Sequence, residues 1–215
     1  MHRRRFLSLS CQSGAALAAA SLLPGCATLP AVSRGAAPTP APSSMRPGLQ
    51  LFTVMKLLDQ DFDGTLAAVA AIGYREVETV GAFDRDPAQV ADALARHGLA
   101  TPSQHLMPGN LYRDFSLYNR GGLSWDEIVR RFAIAFDFAQ VDCFIAEAIE
   151  RATRLGQRYV TWQTNWQSHY GPAELKQHIA AFNRAGALCR SAGLQFAFHN
   201  HNLEFAVIDG MPGYD

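Results

Sequence analysis

Cysteine is scarce in this 215-residue chain, which has four. Cys11 and Cys26 fall in the first 26 residues, while Cys143 and Cys189 fall on apolar stretches of helical spacing, where each is expected to be a buried thiol. No CxxC pair or zinc-finger spacing occurs, so neither a disulfide framework nor a thiolate metal site is indicated. Net charge is also lacking, with 19 basic residues against 19 acidic ones. With residues 1–25 set aside, acidic residues outnumber basic ones by three. A domain so balanced offers no electrostatic footprint for nucleic acid and little attraction to an anionic membrane. The fingerprint GxGxxG is missing after the first strand-like segment, which counts against dinucleotide binding. What is present is a globular composition, 48% hydrophobic and 18% charged, in a chain long enough for one domain with a sizeable core.

Residues 1–26 have the layout of an export signal. Arg3, Arg4 and Arg5 precede an apolar stretch, Ala15–Leu23, that is too short and too alanine-rich for a lasting membrane span. The Arg-Arg-Arg-Phe-Leu run resembles a twin-arginine signal. Leu23-Pro-Gly-Cys26 resembles a lipoprotein cleavage box with Cys26 as the lipidated residue, although Pro24 is an unusual occupant. The expected location is therefore periplasmic or otherwise exported, with or without a lipid anchor at Cys26. Residues 27–46, with Pro30, Pro38, Pro40, Pro42, Ser43 and Ser44, form a Pro/Ala/Ser-rich tether. The folded domain is expected over residues 47–215.

Beyond Pro47 one unit repeats: an amphipathic helix ends at glycine, and a short apolar strand follows and closes on a polar residue. Strands are predicted at Gly48–Val54, Tyr74–Val80, Leu99–His105, Arg158–Gln163 and Leu194–His199. A helix over Asp61–Ile72 places Phe62, Leu66 and Val69 on one face, and Gly73 can take its left-handed cap. Asp86-Pro87 opens a second helix that buries Val90 and Leu94. Ser124-Trp-Asp-Glu127 has capping-box form and opens a long helical region, in one piece or two, through Leu155. Gly171-Pro172 opens the last, with Leu175, Ile179, Phe182 and Leu188 expected inside. Alternation of this kind predicts parallel strands under covering helices. Five strands suit an open doubly wound sheet or an incomplete (β/α)8 TIM barrel, whose strand ends converge on one mouth.

The polar residues that close the strands are the candidates for chemistry. His199 and His201 stand two apart, on one face of a strand, and could share a metal. Glu78, His105 and Glu204 are candidate acid/base groups. Gln50, Gln163 and Asn165 could bind substrate hydroxyls, and the Trp162 ring would suit the apolar face of a sugar. Each also has a plainer reading as a satisfied core group or a solvated loop residue.

Gly48-Leu-Gln-Leu-Phe-Thr-Val54, Ala71-Ile-Gly-Tyr-Arg-Glu-Val-Glu78, Phe182-Asn-Arg-Ala-Gly186 and Phe196-Ala-Phe-His-Asn-His-Asn-Leu-Glu-Phe205 together resemble the sugar phosphate isomerase/epimerase family of xylose-isomerase-like TIM barrels. The resemblance runs from about Gly48 to the C-terminus, and His-Asn-His-x-x-Glu-Phe is its most specific element. It implies a divalent metal (Mn, Mg, Co or Zn) at the barrel mouth, acid/base proton transfer on a small sugar or sugar derivative, and no nucleic-acid partner. It also implies that His199 stands where such proteins usually carry a glutamate ligand. The remaining ligands are expected from strands six to eight, so the chain is expected to be the N-terminal part of such a barrel, inactive alone. Two other functions fit the same architecture: a non-catalytic periplasmic sugar-binding protein and an endonuclease IV-like phosphodiesterase.

Overall fold

The computed structural model describes residues 47–163, 171–201, 205, 207, 208, 211 and 212. The expected export signal at 1–26, including Cys26, the tether at 27–46, and the candidates Asn165 and Glu204 lie outside the described residues.

The first strand, β1 (Gly48–Gln50), is shorter than its apolar run suggests. Gln50 ends it by capping: its side-chain oxygen accepts from the Phe52 N–H at 2.6 Å, and Thr53 Oγ1 donates to the Gln50 carbonyl at 2.8 Å. Such local side-chain bonds draw the backbone out of the ladder. Residues Leu51–Val54 therefore form a 3-10 turn, which leads into a helix absent from the sequence reading, α1 (Met55–Gln60). The next helix, α2 (Phe62–Ile72), is capped by Asp61 on the Gly64 N–H at 2.9 Å and ends at Gly73, whose φ of 117° suits a residue without Cβ. It buries Leu66 and Val69, as expected.

Strand β2 (Glu76–Val80) is followed by α3 (Pro87–Arg96), which has Asp86 as N-cap and buries Val90 and Leu94. Strand β3 (Ala100–His105) then leads to a second helix the sequence reading did not anticipate, α4 (Leu111–Asn119). The predicted long helical region is two helices, α5 (Trp125–Ala135) and α6 (Val141–Leu155), with a 3-10 turn at Phe138–Gln140 between them. Ser124 Oγ caps the Glu127 N–H, while the Glu127 carboxylate turns to Arg130 and Arg131. After β4 (Tyr159–Gln163) come α7 (Pro172–Ser191) and β5 (Gln195–His199). A two-residue antiparallel pair follows, β6 (Val207–Ile208) with β7 (Met211–Pro212).

Two expectations about burial are corrected. Ile179 is 51% exposed, because the inner stripe of α7 runs through His178, Ala181, Ala185 and Cys189, one step out of phase with the predicted face. Cys143 is exposed on α6, whereas Cys189 is buried. Desolvation raises the Cys189 thiol to about 11, consistent with an inert core residue.

All five main strands are parallel and pair in sequence order, β1-β2-β3-β4-β5, with β1 and β5 as the edges among the described residues. This sequential parallel order is the βα-repeat of a TIM barrel, present here as five strands of an incomplete cylinder.

One irregularity positions the site. Glu76 pairs with Ala100 but Glu78 pairs with Ser103, so β3 carries one extra residue. Pro102 lies within that bulge and supplies no N–H to the ladder. Since a one-residue slip turns every side chain to the opposite face, the bulge sets Ser103 and His105 in line with Glu78 and Val80. Register then carries the row across to Thr161 and Gln163 on β4 and to Ala197 and His199 on β5.

The opposite face of the same strands builds the core. Val77, Val160 and Trp162 are buried there against the helices. Trp162, with no exposed surface, packs against Phe136, Phe138, Phe144, Phe182 and Phe196 at ring-centroid distances of 5.1 to 6.3 Å. Most polar groups on this face are paired, Gln157 Oε1 excepted among the described residues. Gln157 Nε2 donates to Thr79 Oγ1, Thr101 Oγ1 and the Ser103 carbonyl, and Gln104 links the Ala148 carbonyl to the Arg151 guanidinium.

Candidate metal centre

From the middle of β2 and the C-terminal ends of β3 and β5, three side chains converge. Glu78, His105 and His199 each present a ligand-type atom, and all three atoms lie within 4.8 Å of one another. His105 Nε2 is 3.0 Å from Glu78 Oε1 and 3.0 Å from His199 Nδ1. The His105 and His199 rings meet edge to face with centroids 4.9 Å apart. His105 is buried, Glu78 half-buried and His199 open on one side.

Neighbouring hydroxyls complete the carboxylate's surroundings. Ser103 Oγ donates to Glu78 Oε2 at 2.6 Å, and Thr161 Oγ1 donates to the same oxygen at 3.2 Å. Burial alone would raise the Glu78 pKa. The hydrogen bond and charge of His105, together with the Ser103 and Thr161 hydroxyls, outweigh it and hold the carboxyl below its ordinary value. An ionised carboxylate beside two imidazoles is a donor set that suits Mn, Co, Zn or Fe. The set fits the implied metal: one anionic oxygen and two ring nitrogens converge from β2, β3 and β5.

The other predicted residues divide into two groups. His201 stacks on His199, with centroids 4.8 Å apart and planes 25° from parallel. It stands beside the three-donor cluster without belonging to it, although the sequence reading paired it with His199 as a ligand. The structure instead brings in Glu78 and His105, which had been assigned to acid/base work. Gln50, Gln163, His105, His199 and His201 all line one cavity of about 200 Å³, closed on its far side by Phe115 and Phe132. Gln163 Nε2 donates to the Leu106 carbonyl at 2.8 Å, and its buried Oε1 has no hydrogen-bond partner among the described residues. Trp162 does not reach the cavity. It follows Thr161 on β4, so strand alternation points it into the helix layer, and the expectation of a sugar-stacking ring there is corrected. Ser103 and Thr161 were missed from sequence, since nothing short of the strand register sets two hydroxyls opposite Glu78.

Known proteins give the fold a context. No protein-family profile matches the chain, and no curated protein matches it in sequence. Among solved structures, the chain is similar to a sugar phosphate isomerase/epimerase from Parabacteroides distasonis, with 22% identity and a TM-score of 0.57 over 79% of this chain and 56% of that one. It is also similar to an AP endonuclease of family 2 from Brucella melitensis, with 17% identity and a TM-score of 0.52 over 72% and 55% of the two chains. A xylose isomerase domain protein from Alicyclobacillus acidocaldarius aligns over 72% and 50% of the two chains, with 21% identity and a TM-score of 0.45. The chain thus spans little more than half the length of the first two. The first two likenesses, together with the sequential parallel sheet, show a TIM-barrel fold, five strands of which are in place among the described residues.

Proposed function

We propose that the chain contributes to an exported, metal-dependent sugar or sugar-phosphate isomerase/epimerase. The observation that carries this reading is the convergence of Glu78, His105 and His199 at the mouth end of the parallel strands, where active sites of this architecture sit. A divalent metal bound there would polarise a carbonyl or hydroxyl of the sugar.

The protein's own groups divide the remaining work. A carboxyl held below its ordinary pKa is a weak base, so Glu78 suits holding a cation better than abstracting a proton. His199 is the second ligand, His105 orders the Glu78 carboxylate, and Gln163 lines the cavity a substrate would enter. Proton movement then falls to His201, beside His199, or to Glu204.

The chain is expected to bind one equivalent of Mn²⁺ or Zn²⁺; it covers 56% and 55% of the two neighbours in fold. Metal titration by calorimetry tests this. Stoichiometric binding that Glu78→Gln and His199→Ala both abolish supports the reading, and binding indifferent to both substitutions defeats it. Export, and lipidation at Cys26, are tested by cell fractionation with labelled fatty acid.

Similarity to the AP endonuclease favours phosphodiester cleavage as the second reading. The chain's charge balance argues against it, since a duplex ligand calls for a basic face. A non-catalytic sugar-binding role would show itself as sugar affinity unchanged by chelators.

A further inference from the structure

We propose that Gln50 is a positioning residue that holds His105 in its Nε2–H tautomer, so that His105 enters the site as a hydrogen-bond donor and opposes its own use as a metal ligand. The inference rests on the reading of Glu78 and His199, with His105 between them, as a metal centre.

The argument is one of donors and acceptors. A glutamine amide has one oxygen that accepts and one NH₂ that donates. The Phe52 backbone N–H can only donate, and it lies 2.6 Å from Gln50 Oε1. The amide is thereby oriented, and its NH₂ faces His105 Nδ1 at 3.2 Å. Nδ1 must offer a lone pair to that donor, so in the neutral ring the single proton is on Nε2. On that side two groups stand 3.0 Å away: Glu78 Oε1, which accepts only, and His199 Nδ1, which accepts when the His199 proton is on its other nitrogen. Hydrogen bonds therefore run in one direction, from the Phe52 N–H through the Gln50 amide and the His105 ring to the Glu78 carboxylate.

Ligation through Nε2 would need the lone pair there and the proton on Nδ1, which would then face the Gln50 NH₂, donor against donor. Turning the amide over would relieve that clash only by setting NH₂ against the Phe52 N–H. Metal-bound histidines usually give their second N–H to an acceptor, which raises their basicity. Gln50 presents the reverse polarity. Glutamate at this position would keep the shape and the Phe52 cap while supplying an acceptor to Nδ1.

The test compares the wild-type chain with Gln50→Glu and Gln50→Leu. Nitrogen-15 NMR of the metal-free wild type is expected to show His105 with Nε2 protonated and Nδ1 bare, and Gln50→Glu is expected to reverse this. Zn²⁺ titration, with Co²⁺ absorption as a second readout, is expected to show about a 10- to 100-fold tighter site in Gln50→Glu and a smaller gain in Gln50→Leu. A Gln50 that merely supported the fold would weaken or leave unchanged the site in both variants. An Nδ1–H tautomer in the wild type, or a Gln50→Glu chain that binds Zn²⁺ no better, overturns the proposal. A tautomer reversal without Zn²⁺ binding in either chain supports the role of Gln50 and defeats the metal reading instead.

Discussion

The two faces of this sheet are made from alternate residues of the same strands, yet they obey opposite rules. Toward the helices, Val77, Val160 and Trp162 are packed without exposed surface to speak of, and the few polar groups there, such as Gln104 and Gln157, are tied to backbone or hydroxyl partners. Toward the lumen, Glu78, Ser103, His105, Thr161 and His199 converge into one hydrogen-bonded cluster. The core lies on the first face and the candidate metal centre on the second, with the two separated only by the alternation of Cβ along a strand. Substitution on one face should therefore leave the property of the other face intact.

The largest expected effect is on the helix face. Trp162→Ala removes the ring that joins five phenylalanines, and should cost about 3–5 kcal/mol of stability in urea denaturation. The molecules that remain folded should keep their Zn²⁺ affinity. Gln157→Leu comes next, because it removes the buried amide donor to the Thr79 hydroxyl and leaves Thr101 Oγ1 and the Ser103 carbonyl only their bond to each other. A loss of about 1–3 kcal/mol is expected, again without change at the metal centre.

On the lumen face, Glu78→Gln is expected to reduce metal affinity while changing stability near neutral pH less than either helix-face substitution. Its pH dependence sharpens the comparison. The Glu78 carboxyl is held below its ordinary value in the fold, so its contribution to stability is complete above the usual glutamate range, about pH 4, and is lost as pH falls through the depressed value. Melting temperatures of wild type and Glu78→Gln should differ at pH 6 and converge in acid. A gap that widens on acidification would contradict the assignment. Smallest of all, Cys143→Ser on the exposed side of α6 should stay within about 0.5 kcal/mol of wild type, whereas Cys189→Ser on the buried stripe of α7 should not.

Much of this was legible in the chain. The glycine stop at Gly73, the caps at Asp86 and Ser124, and the apolar periods between them placed every main strand and most helices, because these are local signals. The helices at Met55–Gln60 and Leu111–Asn119 were not legible, since neither opens on a capping side chain. Phe182 and Leu188 pack against the core as expected, but Ile179 falls outside because the fully buried stripe of the last helix runs through His178 and the small residues Ala181 and Ala185. Small residues leave little trace in an apolar pattern.

The composition, the strand–helix alternation and the polar residue at each strand end are properties of neighbours in sequence, and they sufficed to predict a parallel α/β architecture with its chemistry at one mouth. Which of those polar residues meet was decided only in three dimensions. A single extra residue beside Pro102 turns His105 and Ser103 toward Glu78, and pairing of β4 with β5 brings His199 to them across 94 positions of chain. Register depends on contacts between distant strands, and no local pattern encodes it.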